Sequence, residues 1–166
     1  MTADQQTHTG GDRALAAEPI AYWTGMAHKE VLAFIRAQQA KLGFTQPQYW
    51  ILRHLSPHDL ATDGGRGMTV PEMIETMKTY LQFEDDLAAE AETLLDRGWI
   101  TRGADGRLRI TEAGDTARAD LKTHAPAWRD LIHDGIDDAD YVTTVRVLQR
   151  MLRNVRATED GSDPQH

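Results

Sequence analysis

Charged side chains of opposite sign gather in two neighbouring stretches of this chain. Between residues 82 and 98 lie six acids, Glu84, Asp85, Asp86, Glu90, Glu92 and Asp96, against one base, Arg97. Just beyond come Arg102, Arg107 and Arg109 with a single acid, Asp105. Guanidinium groups bind phosphate oxygens through paired hydrogen bonds, whereas carboxylates repel them. Glu and Asp can still accept a hydrogen bond from cytosine N4, normally inside a basic frame. The arginines therefore fit contact with a polyanion, and the acids either oppose it or read base edges within it. Each set also has a plainer use. Glu84, Asp85 and Asp86 complement the dipole of a helix they open, and Arg102 and Arg107 keep an edge strand soluble.

Other chemistries find little support. With no cysteine, disulfides and thiolate metal sites are excluded. His54 and His58 stand four apart, a metal-ligand spacing on a helix, but Pro57 ends the helix between them. His124 and His133 are too far apart to replace them, so no metal is expected. There is no nucleophile elbow, Gly-rich phosphate loop or paired catalytic carboxylate motif, so the chain is not expected to be an enzyme and no cofactor is expected. The 166 residues carry a net charge of −8, which withholds non-specific attraction to nucleic acid without forbidding a local basic patch. No apolar run matches a membrane span and no signal peptide is evident, which implies a cytoplasmic protein with no membrane partner.

The elements that position these residues read as six helices and one hairpin. A first helix over residues 19–42 has Ile20, Trp23, Ala27, Val31, Phe34 and Ile35 at helical spacing. Thr45-Gln46-Pro47-Gln48 and Thr69-Val70-Pro71-Glu72 are capping boxes that open the second and third helices. A Gly- and Asp-rich loop over residues 56–67 separates them. The fourth helix is predicted over 83–97, with Leu87, Ala91, Leu94 and Leu95 inward, and Gly98 ends it. Trp99-Ile100-Thr101 and Leu108-Arg109-Ile110 are β-prone, and Asp105-Gly106 between them is a hairpin signal. Thr111 caps a fifth helix over 112–133, with a kink expected at Pro126. A sixth runs over 139–156, with Val142, Val145, Leu148, Leu152 and Val155 inward. The expected organisation is a disordered tail at 1–18, one domain at 19–157 and a second tail at 158–166. Within the domain, helical arms at 19–43 and 112–157 flank a core at 44–111.

Five local patterns in this order resemble the multiple-antibiotic-resistance regulator (MarR) family of bacterial winged-helix repressors. Phe44-Thr45-Gln46-Pro47-Gln48-Tyr49-Trp50-Ile51-Leu52 is similar to the family's second-helix start, and Met68-Thr69-Val70-Pro71-Glu72-Met73 to its third. Leu94-Leu95-Asp96-Arg97-Gly98-Trp99-Ile100 resembles the end of its recognition helix, and Leu108-Arg109-Ile110-Thr111-Glu112-Ala113-Gly114 the close of its wing. Gly135-Ile136-Asp137 resembles the turn into the last helix. The fold class implied is mainly α, a winged helix-turn-helix with a two-stranded wing and a helical dimerisation region.

The resemblance implies a homodimer that docks two fourth helices in successive major grooves of a palindromic double-stranded DNA operator, with the wings on flanking backbone. The candidate DNA contacts are then Thr79, Gln82, Glu84 and Asp85 at the start of that helix and Arg102, Arg107 and Arg109 on the wing. It also implies a crevice where a small aromatic ligand weakens DNA binding, for which Tyr22, Trp23, Met26, His28, Trp50 and Trp128 are the candidate lining. These large apolar residues equally suit a dimer core. The chain departs from the family where a recognition-helix arginine is usual, because that position is Ala89. The alternative is a winged-helix dimer that has lost DNA binding and serves as a ligand-binding or protein-interaction module. Finally, Arg146, Arg150 and Arg153 form one stripe on the sixth helix, either a solvated face or a surface that pairs with acidic helices.

Overall fold

The computed structural model describes residues 11–62 and 64–160. By their contacts these fall into two compact units, one ending at His124 and one starting at Ala125. The first contains α1 (Ile20–Lys41), α2 (Gln46–Leu55), α3 (Val70–Met77), α4 (Leu87–Asp96), β1 (Ile100–Arg102), β2 (Leu108–Ile110) and α5 (Glu112–Lys122). The second contains α6 (Ala125–Ile132) and α7 (Asp138–Asp160). The chain is mainly helical with a two-stranded antiparallel wing, a winged helix-turn-helix as the sequence implies.

The helix starts are chemically explicit. Thr45 accepts the Gln48 N–H while the Gln48 side chain accepts the Thr45 N–H, and Thr69 and Glu72 form the same reciprocal pair. The wing pairs Ile100 with Ile110 and Arg102 with Leu108, and Met68 adds a short bridge to Leu108. Two glycines are required here by space. A Cβ on Gly67, which has φ +87°, would lie 2.4 Å from the Leu108 carbonyl oxygen, and one on Gly114 would lie 2.0 Å from that of Trp99. The core gathers Ile51, Leu52 and Leu55 of α2, Met73 and Met77 of α3, Leu87 and Leu94 of α4, and Ile100 and Leu108 of the wing.

The loop between α2 and α3 is tied down at its start. Ser56 donates to Asp115 at 2.6 Å, and Asp59 is paired with Arg53 at 3.0 Å and Arg118 at 3.1 Å. Burial alone would raise the Asp59 carboxyl. The hydrogen bonds of Arg53 and the charges of Arg53, Lys122 and Arg118 overcome it and hold the group below its ordinary range. Asp115 is shifted the same way, its burial outweighed by Ser56 and Arg118.

Several boundaries differ from the sequence reading. The fourth helix starts at Leu87, because Asp86 accepts the N–H groups of Ala88 and Ala89 and so acts as its cap. The fifth predicted helix is interrupted between Lys122 and Ala125, one turn before a simple kink at Pro126. Pro126 instead sits in the first turn of α6, where its missing N–H costs nothing. Residues 11–16 are helical and exposed, and α7 continues to Asp160. The remaining parts of the two expected tails, 1–10 and 161–166, lie outside the described residues.

Both units leave large apolar side chains exposed. On α1 these are Ile20, Tyr22, Trp23 and Met26, and on α7 they include Val142, Val147, Leu152 and Val155. Arg146, Arg150 and Arg153 are also exposed on α7, with no carboxylate partner among the described residues.

Candidate nucleic-acid interface

The acids around α4 are engaged from elsewhere in the chain. Asp85 has a side chain only 6% exposed, is paired with Arg36 of α1 at 2.7 Å and accepts the Gln82 N–H at 2.8 Å. It is therefore a positioning group for the turn before α4, and its carboxylate does not reach out as the expected base contact. Glu84 remains 72% exposed, with Arg36 at 3.8 Å. Asp86 caps the helix, Glu90 accepts from the Gln48 side chain at 2.6 Å, and Glu92 pairs with Arg102. Thr79 is exposed in the turn after α3, and Gln82 is half-buried.

The wing arginines are likewise matched. Arg107 makes two bonds of 2.8 Å to Glu72 and one of 2.8 Å to the Gly67 carbonyl. The Thr69 N–H, then Arg107, hold the Glu72 carboxyl down to about 2. Arg109 grips Asp105 at 2.6 and 3.1 Å, and these bonds, with the Arg107 N–H, hold that acid down to about 2 as well. Arg97 is bonded to the Gly43 carbonyl and lies over Trp99, so it supports the core. The result is a face on which every wing arginine is paired, while Asp86, Glu90 and Asp96 have no ion-pair partner among the described residues. The acid excess counted along 82–98 overstates its negative potential, because Arg36 and Arg102 come from outside that stretch.

Two exposed residues were not anticipated. Arg66, on the loop before α3, has no carboxylate partner among the described residues and borders, with Arg107, a cavity of about 520 Å³. Its flanking glycines, Gly65 and Gly67, were the available sequence signal. Phe83, in the turn before α4, is 106% exposed.

The candidate ligand residues fall into three places. Tyr22 and Trp23 meet edge-on with centroids 5.4 Å apart on the exposed N-terminal half of α1, which also carries Met26 and His28. Trp50 lies against Tyr80 with centroids 4.6 Å apart, and Arg53 covers it at 4.7 Å. Its buried Nε1 has no acceptor among the described residues. Trp128 belongs to the second unit, on α6. His54, one turn beyond Trp50, bonds to the Tyr80 hydroxyl. Burial, reinforced by Arg53, lowers its pKa and favours a neutral imidazole. Among the described residues no three potential metal ligands gather.

No protein-family profile matches the sequence, and no curated protein does. Solved structures do match. A MarR transcriptional regulator from Methanosarcina mazei Go1 aligns at a TM-score of 0.59 and 20% identity, covering 84% of this chain and 96% of that one. A MarR family regulator from Rhodococcus sp. RHA1 aligns at 0.60 and 21%, covering 80% and 91%. A MarR family protein of Mycobacterium tuberculosis, solved in complex with DNA, aligns at 0.62 and 15%, covering 81% and 98%. The same protein has been solved with p-aminosalicylic acid. The chain thus has the winged-helix fold of MarR regulators.

Proposed function

We propose that this chain is a DNA-binding transcriptional regulator that works as a homodimer on a palindromic operator. The observation that carries this reading is the winged-helix geometry of α3, α4 and the wing, in which Arg36 and Arg102 offset part of the acid excess around α4 and Arg66 has no carboxylate partner among the described residues. The N-terminal end of α4 would lie in the major groove and the wing on flanking backbone. Thr79, Gln82 and Glu84 face bases in this arrangement, and Arg66, Arg102, Arg107 and Arg109 meet phosphates or the minor groove. The uncovered apolar surfaces of α1 and α7 support a dimer, since such area costs free energy in water. Work on DNA places the protein in the cytoplasm. No described helix is long and apolar enough to cross a membrane.

A small aromatic ligand that covers Tyr22 and Trp23 would shift the dimer towards a spacing unsuited to DNA. The salicylate-type complex of the mycobacterial relative lends this support. Trp128 and the unsatisfied Trp50 N–H are further candidates for such a ligand.

The test is retention of sheared genomic DNA by the purified dimer at low and near-physiological salt, followed by sequencing. A few palindromic sites should survive the higher salt. Arg66 of two chains, without a carboxylate partner among the described residues, would contribute about −2 to the salt slope. Retention of nothing by a folded dimer would overturn the reading. It would favour a ligand-binding or protein-interaction module, which the prior engagement of every wing arginine also fits.

A further inference from the structure

We propose that Phe83 reads the methyl group of a thymine in the major groove. The inference rests on the DNA-binding reading and adds a specificity determinant to it. Gln82, Phe83, Glu84 and Asp85 form a tight turn closed twice. The Asp85 N–H donates to the Gln82 carbonyl at 3.0 Å, and the Asp85 carboxylate accepts the Gln82 N–H at 2.8 Å. Arg36 clamps that carboxylate from α1 at 2.7 Å, and the next residue, Asp86, caps α4. The corner residues of a turn built this way are Phe83 and Glu84. Both point outward, Phe83 at 106% exposure and Glu84 with its side chain 72% exposed.

A fully hydrated phenyl ring is costly for a soluble protein, and here the flanking apolar residues are treated differently. Leu81 is half-buried and Leu87 is buried, so the ring projects from an anchored turn and not from a frayed segment. The place matters as much as the exposure. In a helix-turn-helix the first residues of the second helix contact base edges, and Phe83 stands in the turn that leads directly into them. Among base edges, the thymine C5 methyl is the apolar target for such a ring. An apolar contact of this kind is also indifferent to the carboxylates around it. It can therefore supply sequence discrimination on a face whose arginines are held by acids.

The test uses the full-length dimer and an operator recovered by the selection above. Thymines are replaced one symmetric pair at a time by 2′-deoxyuridine, which lacks only the C5 methyl. For the wild type, one pair should weaken binding by about fourfold per half-site, the worth of one methyl-sized group leaving water. Phe83→Ala should bind the thymine operator as weakly as the wild type binds the uracil one, and should no longer distinguish them. Phe83→Leu should keep part of the distinction. Thermal melting of both variants should be unchanged, since the ring touches no core. The inference is overturned if Phe83→Ala binds the operator as tightly as the wild type, the outcome expected of a ring that docks a protein. It is equally overturned if that variant still discriminates thymine from uracil. Failure to recover any operator overturns the DNA-binding reading itself, a different result from either of these.

Discussion

The surface around α3, α4 and the wing and the surface of α7 are both rich in charge, but they keep their partners in different places. In the first, Arg36, Arg102, Arg107 and Arg109 each meet a carboxylate of the same chain. In the second, Arg146, Arg150 and Arg153 are exposed beside uncovered Val147, Leu152 and Val155. On the first surface these four arginines are already matched within a single chain, so a polyanion must compete with those pairs. The other is incomplete alone. The contrast separates a face suited to reversible recognition from one suited to permanent association.

The sharpest break should come on α7. Leu152→Asp with Val155→Asp places two carboxylates in the apolar strip, and the dimer should weaken by 100-fold or more, about 3 kcal/mol, in sedimentation equilibrium. Unchanged association would show that α7 is not part of the dimer contact. At least as large in free energy, but acting on folding instead of association, is Arg118→Ala in the first unit. It removes the guanidinium of a side chain only 5% exposed from Asp59 and Asp115. A loss of about 3–5 kcal/mol is expected in denaturant unfolding at pH 7. Because both acids titrate lower in the folded state, the stability they lend is present above the unfolded carboxylate value of about 4 and fades as pH falls through the folded values. The variant should show a flatter acid limb than the wild type, and an equally steep one would place the acid sensitivity elsewhere.

How much of this was legible in the sequence depended on separation along the chain. The capping pairs Thr45 with Gln48 and Thr69 with Glu72 span three residues, and they were readable because residue type and spacing alone define them. The hairpin at Asp105-Gly106 was readable for the same reason. The start of α4 was not. Asp85 and Asp86 look alike in sequence, yet one caps the helix and the other reaches Arg36, 49 residues away. Arg107 and Glu72 are 35 apart, so the wing's apparent positive charge could not be seen to be matched. The availability of the candidate contacts was thus set by tertiary pairing, which residue type and local spacing do not encode.

Smaller effects would refine the comparison within the reading face. Arg66→Ala should lower operator affinity and reduce the salt slope by about 1 per chain, whereas Arg109→Ala, whose guanidinium already holds Asp105, should change the slope less. Equal effects from the two would mean that the wing ion pairs open on DNA. Arg36→Ala should separate folding from binding. It costs about 1–2 kcal/mol by leaving Asp85 without its cation, but it should weaken operator binding by more than it weakens folding, read by parallel melting and titration.

Arg36 also joins two tasks through one rigid rod. Trp23 and Arg36 stand thirteen residues apart on α1, about 20 Å along its axis. The exposed indole and the clamped turn are therefore joined by one continuous helix. In the proposed regulation, a second chain or a small molecule that presses on the first would act on the second along this helix, with Gly25 between them as its softest point. Under the proposed regulation, a new effector would need changes only near Trp23, leaving the residues proposed to face the operator intact.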